Sequence, residues 1–227
     1  VMPDNEKIGA MGAEHLLEKG FQQFLFVCYG DGPQQKARRE GFQSRLSRSG
    51  REAAHLFWLQ EDGATPNAWS ARQQMLLEAI EALPKPLAIM GHTDIIASDI
   101  IDVCLGANIA VPDDVAVLGV ENDQLVCEAL AVPLSSVEVD LERLGWQAAA
   151  TLDAILAGHH PHPNPLPPVK VVQRRSTDCL AVADLKVAKA LHFIWNHSGE
   201  GIAAVDVVAH VNCARRPLEI SFKKLVG

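Results

Sequence analysis

The sequence predicts an α/β fold: one lobe of a parallel sheet with helices on both faces, followed by a small all-α segment. Three observations carry this. Short, continuous apolar runs alternate with longer helical stretches as far as Val120. A run that is apolar at every position suits a strand covered on both faces, and the βαβα rhythm suits a parallel sheet. From Asp184 onward the strand signals stop and only helical patterns remain.

The elements follow in order. Ala13 to Lys19 reads as a helix stopped by Gly20, since glycine takes the left-handed cap at low cost. Phe24 to Cys28 is the first strand, a helix runs from Gln35 to Arg48, and His55 to Leu59 is the next strand. Asn67 to Leu83 is a helix closed by Pro84 and Pro86, neither of which can continue it. Leu87 to Met90 is a strand, Ile95 to Leu105 a helix and Val115 to Val120 a strand. Leu134 to Val139 reads as a further strand, Leu141 to Leu156 as an amphipathic helix, and Val169 to Gln173 as a short strand. The tail holds three helices: Leu185 to His197, Ala204 to His210 and Arg215 to Leu225.

In open parallel sheets, ligands bind beyond the carboxyl ends of the strands. Three polar clusters fall there: Tyr29-Gly30-Asp31, His92-Thr93-Asp94 and Glu121-Asn122-Asp123. A small-molecule cleft follows from position alone.

Composition narrows the class. Hydrophobic residues make up 48% of the 227 and charged residues 21%, as in a soluble globular protein. No apolar run reaches the length of a membrane span and there is no export leader, so a cytoplasmic protein is expected. The five cysteines, Cys28, Cys104, Cys127, Cys179 and Cys213, stand singly and read as buried free thiols. No cofactor or metal is expected. The His159-His160-Pro161-His162 cluster lies in a proline-rich stretch and reads as a solvated loop. The net charge is −8, yet the segment from Asp184 on carries six basic against four acidic residues, so the body is acidic and the tail mildly basic. That asymmetry suits a polar-ligand domain tied to a nucleic-acid contact. The sequence contains no G-x-G-x-x-G, G-x-S-x-G or P-loop, and no evident nucleophile–base pair, so an enzyme is not expected.

Gly-Ala-Glu-His-Leu-Leu-Glu-Lys-Gly-Phe at 12–21 resembles the helix that opens the second lobe of LacI-type, periplasmic-binding-protein-like sugar domains. Arg38-Arg39-Glu40-Gly41-Phe42, Thr93-Asp94, the run from Val111 to Asp123 and Pro133-Leu134-Ser135-Ser136-Val137 follow in that family's order. Residues 204–227 resemble the first helix-turn-helix of AraC-type regulators. A LacI-like sugar lobe followed by AraC-type helices is similar to the xylose-operon regulator (XylR-type) family, whose junction Arg174-Arg175-Ser176-Thr177-Asp178 also resembles.

The resemblance implies a sugar-binding domain over 1–181, made of the second lobe and the return segment of the first, and the start of a DNA-binding domain over 182–227. It implies a regulator whose operator binding responds to a pentose such as xylose, with double-stranded DNA as partner and a homodimer as the full-length state. Arg38, Thr93 and Glu121 would line the sugar cleft, with Asp94, Asn122 and Tyr29 beside them. Arg38 is either the ligand contact or a solvated helix charge, with Arg39 the exposed one of the two. Asp94 reads equally as a ligand group or a helix N-cap. Trp58, Trp69 and Tyr29 are candidates to stack on a sugar face, with rim or core packing the alternative for the tryptophans.

In the tail, Arg215, Arg216, Glu219, Ile220 and Lys223 would fall on the recognition helix. The alternative is a small helical bundle with a charged face. Asn212 stands where the family has a turn glycine, Ala214 where it has a capping serine, and Ile220 where it has an arginine, and these departures weaken DNA binding. By the resemblance the chain is truncated at both ends, which leaves the apolar helix Leu141 to Leu156 without its sheet and predicts weak sugar and DNA binding by this chain alone. The alternatives to a regulator are a solute-binding protein of a sugar transport system and a non-functional fragment of the regulator's gene.

Overall fold

The computed structural model describes residues 1–51, 55–59, 68–179, 181, 184–197 and 199–225; residues 55–59, 68, 185, 192, 195, 196 and 225 are described by backbone alone. The side chain of Trp58, the Asn67 helix start and the boundary expected at 182 lie outside the described residues.

The chain forms a six-stranded sheet followed by three helices. The strands are β1 (Gln23–Tyr29), β2 (His55–Leu59), β3 (Leu87–Gly91), β4 (Val115–Glu121), β5 (Ser135–Glu138) and β6 (Lys170–Val172). Their spatial order is β2-β1-β3-β4-β5-β6, with all neighbours parallel except the final antiparallel pair. Around the sheet lie α1 (Asn5–Glu18), α2 (Pro33–Arg48), α3 (Ala68–Glu81), α4 (Asp94–Gly106), α5 (Gln124–Ala129) and α6 (Leu141–Leu156). The tail holds α7 (Leu185–Asn196), α8 (Ala204–Val211) and α9 (Arg215–Leu225).

Strand alternation sends Leu25, Val27, Leu87 and Ile89 to one face of the sheet, and Phe24, Phe26, Ala88 and Met90 to the other. The first set packs against α3 and α4, with Ile80 and Ile100 buried. The second packs against α1 and α2, with Leu16 and Phe42 buried. A separate small core of Val187, Ala190, Val207, Val211 and Leu218 holds the tail together.

Two elements differ from expectation. Helix α1 begins eight residues before Ala13, capped by Asp4, whose carboxylate accepts from the Lys7 amide at 3.1 Å. Its first eight residues include Gly9 and Gly12, which weaken the helical signal. Their use is tertiary: a Cβ on Gly9 would lie 1.9 Å from the Arg38 carbonyl, and one on Gly41 would lie 2.0 Å from the Glu6 carbonyl. The α1 and α2 backbones therefore touch, and only glycine fits. Helix α5 carries no periodic signal because it is a single capped turn and a half, held by Asp123 Oδ1 accepting from the Leu125 and Val126 amides.

Helix α6 buries none of its residues, and Trp146 is 74% exposed on its apolar side. This matches the uncovered apolar helix expected from the sequence. The proline-rich loop is pinned through Leu166, whose backbone bonds to Met2 and Asp4. His159, His160 and His162 within it are exposed or half-buried at most. Four cysteines are buried and all five are free. Among the described residues, no helix is long and apolar enough to cross a membrane.

The junction motif acts as a clamp. The Ser135 hydroxyl donates to the Arg174 carbonyl at 2.9 Å and accepts from the Arg174 amide and the Thr177 hydroxyl, both at 2.8 Å. The Ser176 hydroxyl donates to the Val117 carbonyl at 2.6 Å. Thr177 Oγ1 also meets His15 Nε2 of α1 at 2.9 Å. Burial, followed by the nearby Lys19 charge, lowers the His15 pKa from 6.5 to about 4. The unfolded chain thus binds this proton below pH 6.5 and the folded chain only near 4. Stability from His15 is complete above pH 6.5 and lost as pH falls toward 4, on the order of 2 kcal/mol after allowing for partial exposure. Urea unfolding at pH 7 and 4.5 should show a shallower acid loss in His15→Gln than in the original chain. Equal losses would rule His15 out as a source of the acid sensitivity.

Candidate ligand site and helix-turn-helix surface

The strand order reverses between β1 and β3, and in open parallel sheets ligands bind beyond the carboxyl ends of the strands at such a point. Arg38 reaches this point from α2 and is only 3% exposed. Its Nε and Nη2 donate to Asn5 Oδ1 at 3.1 and 2.7 Å, and Nη1 donates to the His92 carbonyl. Burial lowers its pKa to about 10, opposed by the Glu121 and Asp94 charges, so the guanidinium remains charged at neutral pH. Arg38 is buried at the strand ends, while Arg39, also largely covered rather than exposed as expected, lies 3.6 Å from Asp31.

Glu121 closes β4 with φ +106° and Asn122 follows at φ +57°. Two consecutive non-glycine residues in this region store strain, which structures tolerate where surrounding bonds hold them and which clusters at functional sites. The Glu121 carboxyl is half-buried; burial raises its pKa, and the Arg38 charge draws it back. The charges of Arg38 and Glu121 thus act on each other at the carboxyl ends of the strands.

Thr93, not Asp94, is the N-cap of α4: its Oγ1 accepts from the Ile96 amide at 3.4 Å. Asp94 is the first helical residue and is 1% exposed. Its Oδ1 accepts from the Ser136 hydroxyl at 2.6 Å and its Oδ2 from the Asp123 amide at 2.8 Å. A Cβ on Gly119 would fall 2.2 Å from Asp94 Oδ1, so that glycine makes room for the carboxylate. Asp94 thus holds the β4–α5 turn through these two bonds, and Thr93 takes the cap that the sequence offered to Asp94. Asn122 is similarly committed. Its amide donates to Ser136 Oγ at 3.0 Å, its Oδ1 accepts from Arg174 Nη1 at 2.9 Å, and its Nδ2 lies 3.5 Å from Glu138 Oε1.

Tyr29 ends β1 on the α3–α4 side, where its hydroxyl donates to Asp99 Oδ2 at 2.7 Å. Burial and this bond push its pKa upward. The Arg72 guanidinium lies 5.6 Å from the Tyr29 ring and 5.8 Å from that of Trp69, which is 46% exposed. The tyrosine is thus fastened to α4, and Trp69 is the aromatic surface left open on this rim. Asn5, Ser136, Arg72 and Arg174 carry no signal in the sequence that marks them for the site. Each acts through a partner far away in the chain, and no local spacing announces it.

In the tail, Asn212 at φ +51° makes the turn between α8 and α9, a conformation that asparagine tolerates. Leu218 faces the small core, while Arg216, Ile220 and Lys223, at i, i+4 and i+7, share an exposed stripe of α9. Arg215 and Glu219 pair with each other on the adjacent face, Nε to Oε1 at 2.7 Å. They border an apolar groove of about 320 Å³ lined by Ile194, Val207, Leu218 and Phe222. The five candidate DNA contacts therefore divide into an outward stripe of three and a side pair.

Comparison with known proteins agrees with this architecture. Residues 13–177 match the model of the periplasmic binding protein-like domain. The xylose operon regulatory protein of Escherichia coli strain K12 is 33% identical over 236 residues, covering all of this chain and 58% of that protein. The protein of the same name from Haemophilus influenzae is 30% identical over 230 residues, covering 98% of this chain and 58% of that protein. A solved structure described as the xylose-binding transcription activator XylR superposes with a TM-score of 0.72 at 30% identity, covering 99% of this chain and 60% of that one. The chain thus spans about three-fifths of the length of these relatives. It belongs to the periplasmic binding protein-like family, and is similar along its whole length to xylose operon regulators.

Proposed function

We propose that this chain carries the effector lobe and the first DNA-reading helices of a pentose-responsive transcription regulator, with xylose the first sugar to test. The observation that carries the reading is the buried Arg38 guanidinium, fixed at the strand ends by Asn5 and the His92 carbonyl and within the electrostatic reach of the half-buried Glu121 carboxyl. A pentose presents hydroxyls that both donate and accept, and a buried guanidinium beside a carboxylate meets both needs. Thr93 adds a hydroxyl and Trp69 an apolar rim, while Asp94, Asn122 and Tyr29 position the groups around them. The boundary between the sugar domain at 1–181 and the helices from 182 is part of the same proposal. The relatives' names, xylose operon regulatory protein and xylose-binding transcription activator, support both halves of the reading.

On the DNA side, the stripe of Arg216, Ile220 and Lys223 would enter the major groove of duplex operator DNA, with the basic residues also meeting phosphates. Two copies would read two half-sites. The uncovered apolar side of α6 is the surface on which the other lobe of a two-lobed sugar domain would pack.

Titration with D-xylose, followed by tryptophan fluorescence, tests the site. Glu121→Ala should weaken binding at least about tenfold, the loss of one charge-assisted hydrogen bond. An identical response from the original chain and Glu121→Ala would sink the assignment.

A further inference from the structure

One guanidinium lies within reach of two aromatic rings at the rim of the proposed site. Trp69 is the second residue of α3. A helix that follows a parallel strand starts at the carboxyl edge of the sheet, the edge at which β4 ends in Glu121. Tyr29 closes β1 at the same edge, in register with Leu59, the last residue of β2. The Arg72 guanidinium carbon is 5.6 Å from the centre of the Tyr29 ring and 5.8 Å from that of Trp69, both within cation–π reach. Its Nε is buried and meets no hydrogen-bond partner among the described residues, so the rings, not an acceptor at Nε, hold the group. Tyr29 is itself fixed, since its hydroxyl donates to Asp99 Oδ2 of α4 at 2.7 Å. Burial raises the Asp99 pKa, while the Tyr29 hydrogen bond and the Arg72 charge draw it back. Trp69, by contrast, is 46% exposed, and a side chain so open has several rotamers available unless a neighbour selects one.

We propose that Arg72 is a positioning residue: braced against the Tyr29 ring, it holds the Trp69 ring in one orientation at the carboxyl edge, as a preformed apolar face for the ligand. The physical basis is the negative face of an aromatic ring, which attracts a cation and fixes the ring relative to it. Residues three apart on a helix share a face, so Arg72 and Trp69 meet without distorting α3. A ring ordered before the ligand arrives removes that ordering cost from binding. That the ligand is a sugar, and that Trp69 stacks on it, rests on the function proposed above; the ordering of the ring by Arg72 does not.

Fluorine NMR on the full chain labelled with fluorotryptophan reads the ring directly. The four tryptophans give four signals, and Trp69→Phe identifies that of Trp69. Without ligand, Arg72→Met should move the Trp69 signal toward its position in the unfolded chain. The other three signals should stay in place, which shows the fold intact. Arg72→Lys keeps the cation and should return the Trp69 signal part of the way. With D-xylose, Arg72→Met should weaken binding about fivefold, the size of one cation–π contact. In a Trp69→Ala background the same substitution should change binding by less than about twofold, because no ring is left to place. A Trp69 signal unchanged by Arg72→Met would overturn the proposal. Equal losses of binding with and without the Trp69 ring would overturn it too, and make Arg72 a ligand contact in its own right. Should D-xylose bind neither the original chain nor the variants, the sugar reading fails, and the ligand-free signals still decide whether Arg72 orders the ring.

Discussion

Gly41→Ala is expected to destabilise the fold by roughly 3 kcal/mol or more, at the upper end of what overpacking costs. The new methyl would meet the Glu6 carbonyl at 2.0 Å, and the atom in the way is backbone, which cannot rotate aside as a side chain can. Helices α1 and α2 would have to separate. Arg38 lies one turn before Gly41 on α2, and Asn5 one turn before Gly9 on α1, so separation also breaks the buried Arg38–Asn5 contact. Stability and the ligand site should fail together. The measurement is a thermal or urea midpoint for Gly41→Ala beside Gly145→Ala. Gly145 sits in the interior of α6 with nothing within 4 Å of its added Cβ, so there alanine should be neutral or stabilising by up to about 1 kcal/mol. If the two variants behave alike, the close approach of α1 and α2 is wrong.

Asp94→Ala should cost about 3 kcal/mol, because it strands two donors at once. The Ser136 hydroxyl and the Asp123 amide both give their protons to this carboxylate, and it is almost completely buried. Leaving buried donors unpaired costs more than the bonds themselves contribute. Without that anchor the β4–α5 turn loses its hold, and Glu121 with it, so ligand binding at the proposed site should weaken in the same variant. Asp94→Asn gives the sharper comparison. It keeps the volume and one acceptor but not the charge. Burial already raises the Asp94 pKa, while its hydrogen bonds from Ser136 and the Asp123 amide oppose that rise. Denaturant midpoints at pH 7 should place Asp94→Asn between the original chain and Asp94→Ala. An Asn variant as stable as the original would mean that the charge contributes nothing, and that the group serves only as a shape with one acceptor.

Much of the site is legible in the amino-acid sequence. Apolar runs mark the strands, and the polar residues directly after them have to lie at the carboxyl edge of a parallel sheet, because strand direction and helix return fix that edge. This is why Tyr29, Thr93 and Glu121 fall together despite separations of tens of residues. The stripe of Arg216, Ile220 and Lys223 follows from helical spacing in the same way. Periodicity is a local property, and these are positions that local periodicity determines.

Periodicity does not reveal which polar groups remain available. Asp94, Asn122 and Tyr29 read as ligand groups in the chain, and in the fold each also bonds a distant partner: Ser136, Arg174 and Asp99 respectively. Those partners lie 42, 52 and 70 residues away, so no window along the sequence contains the pair. The first half of α1 escapes sequence reasoning for a related reason. Its glycines lower helical propensity locally, and the benefit appears only when α2 packs against Gly9 and the sheet against Gly12. The sequence by itself determined the α/β lobe, the edge that bears the site and the helical tail, since each depends on the periodic placement of apolar residues. Only the tertiary structure decided that Arg38 is buried against Asn5 while Asp94 and Asn122 brace the turn, since hydrogen-bond satisfaction depends on which distant groups folding brings within about 3 Å.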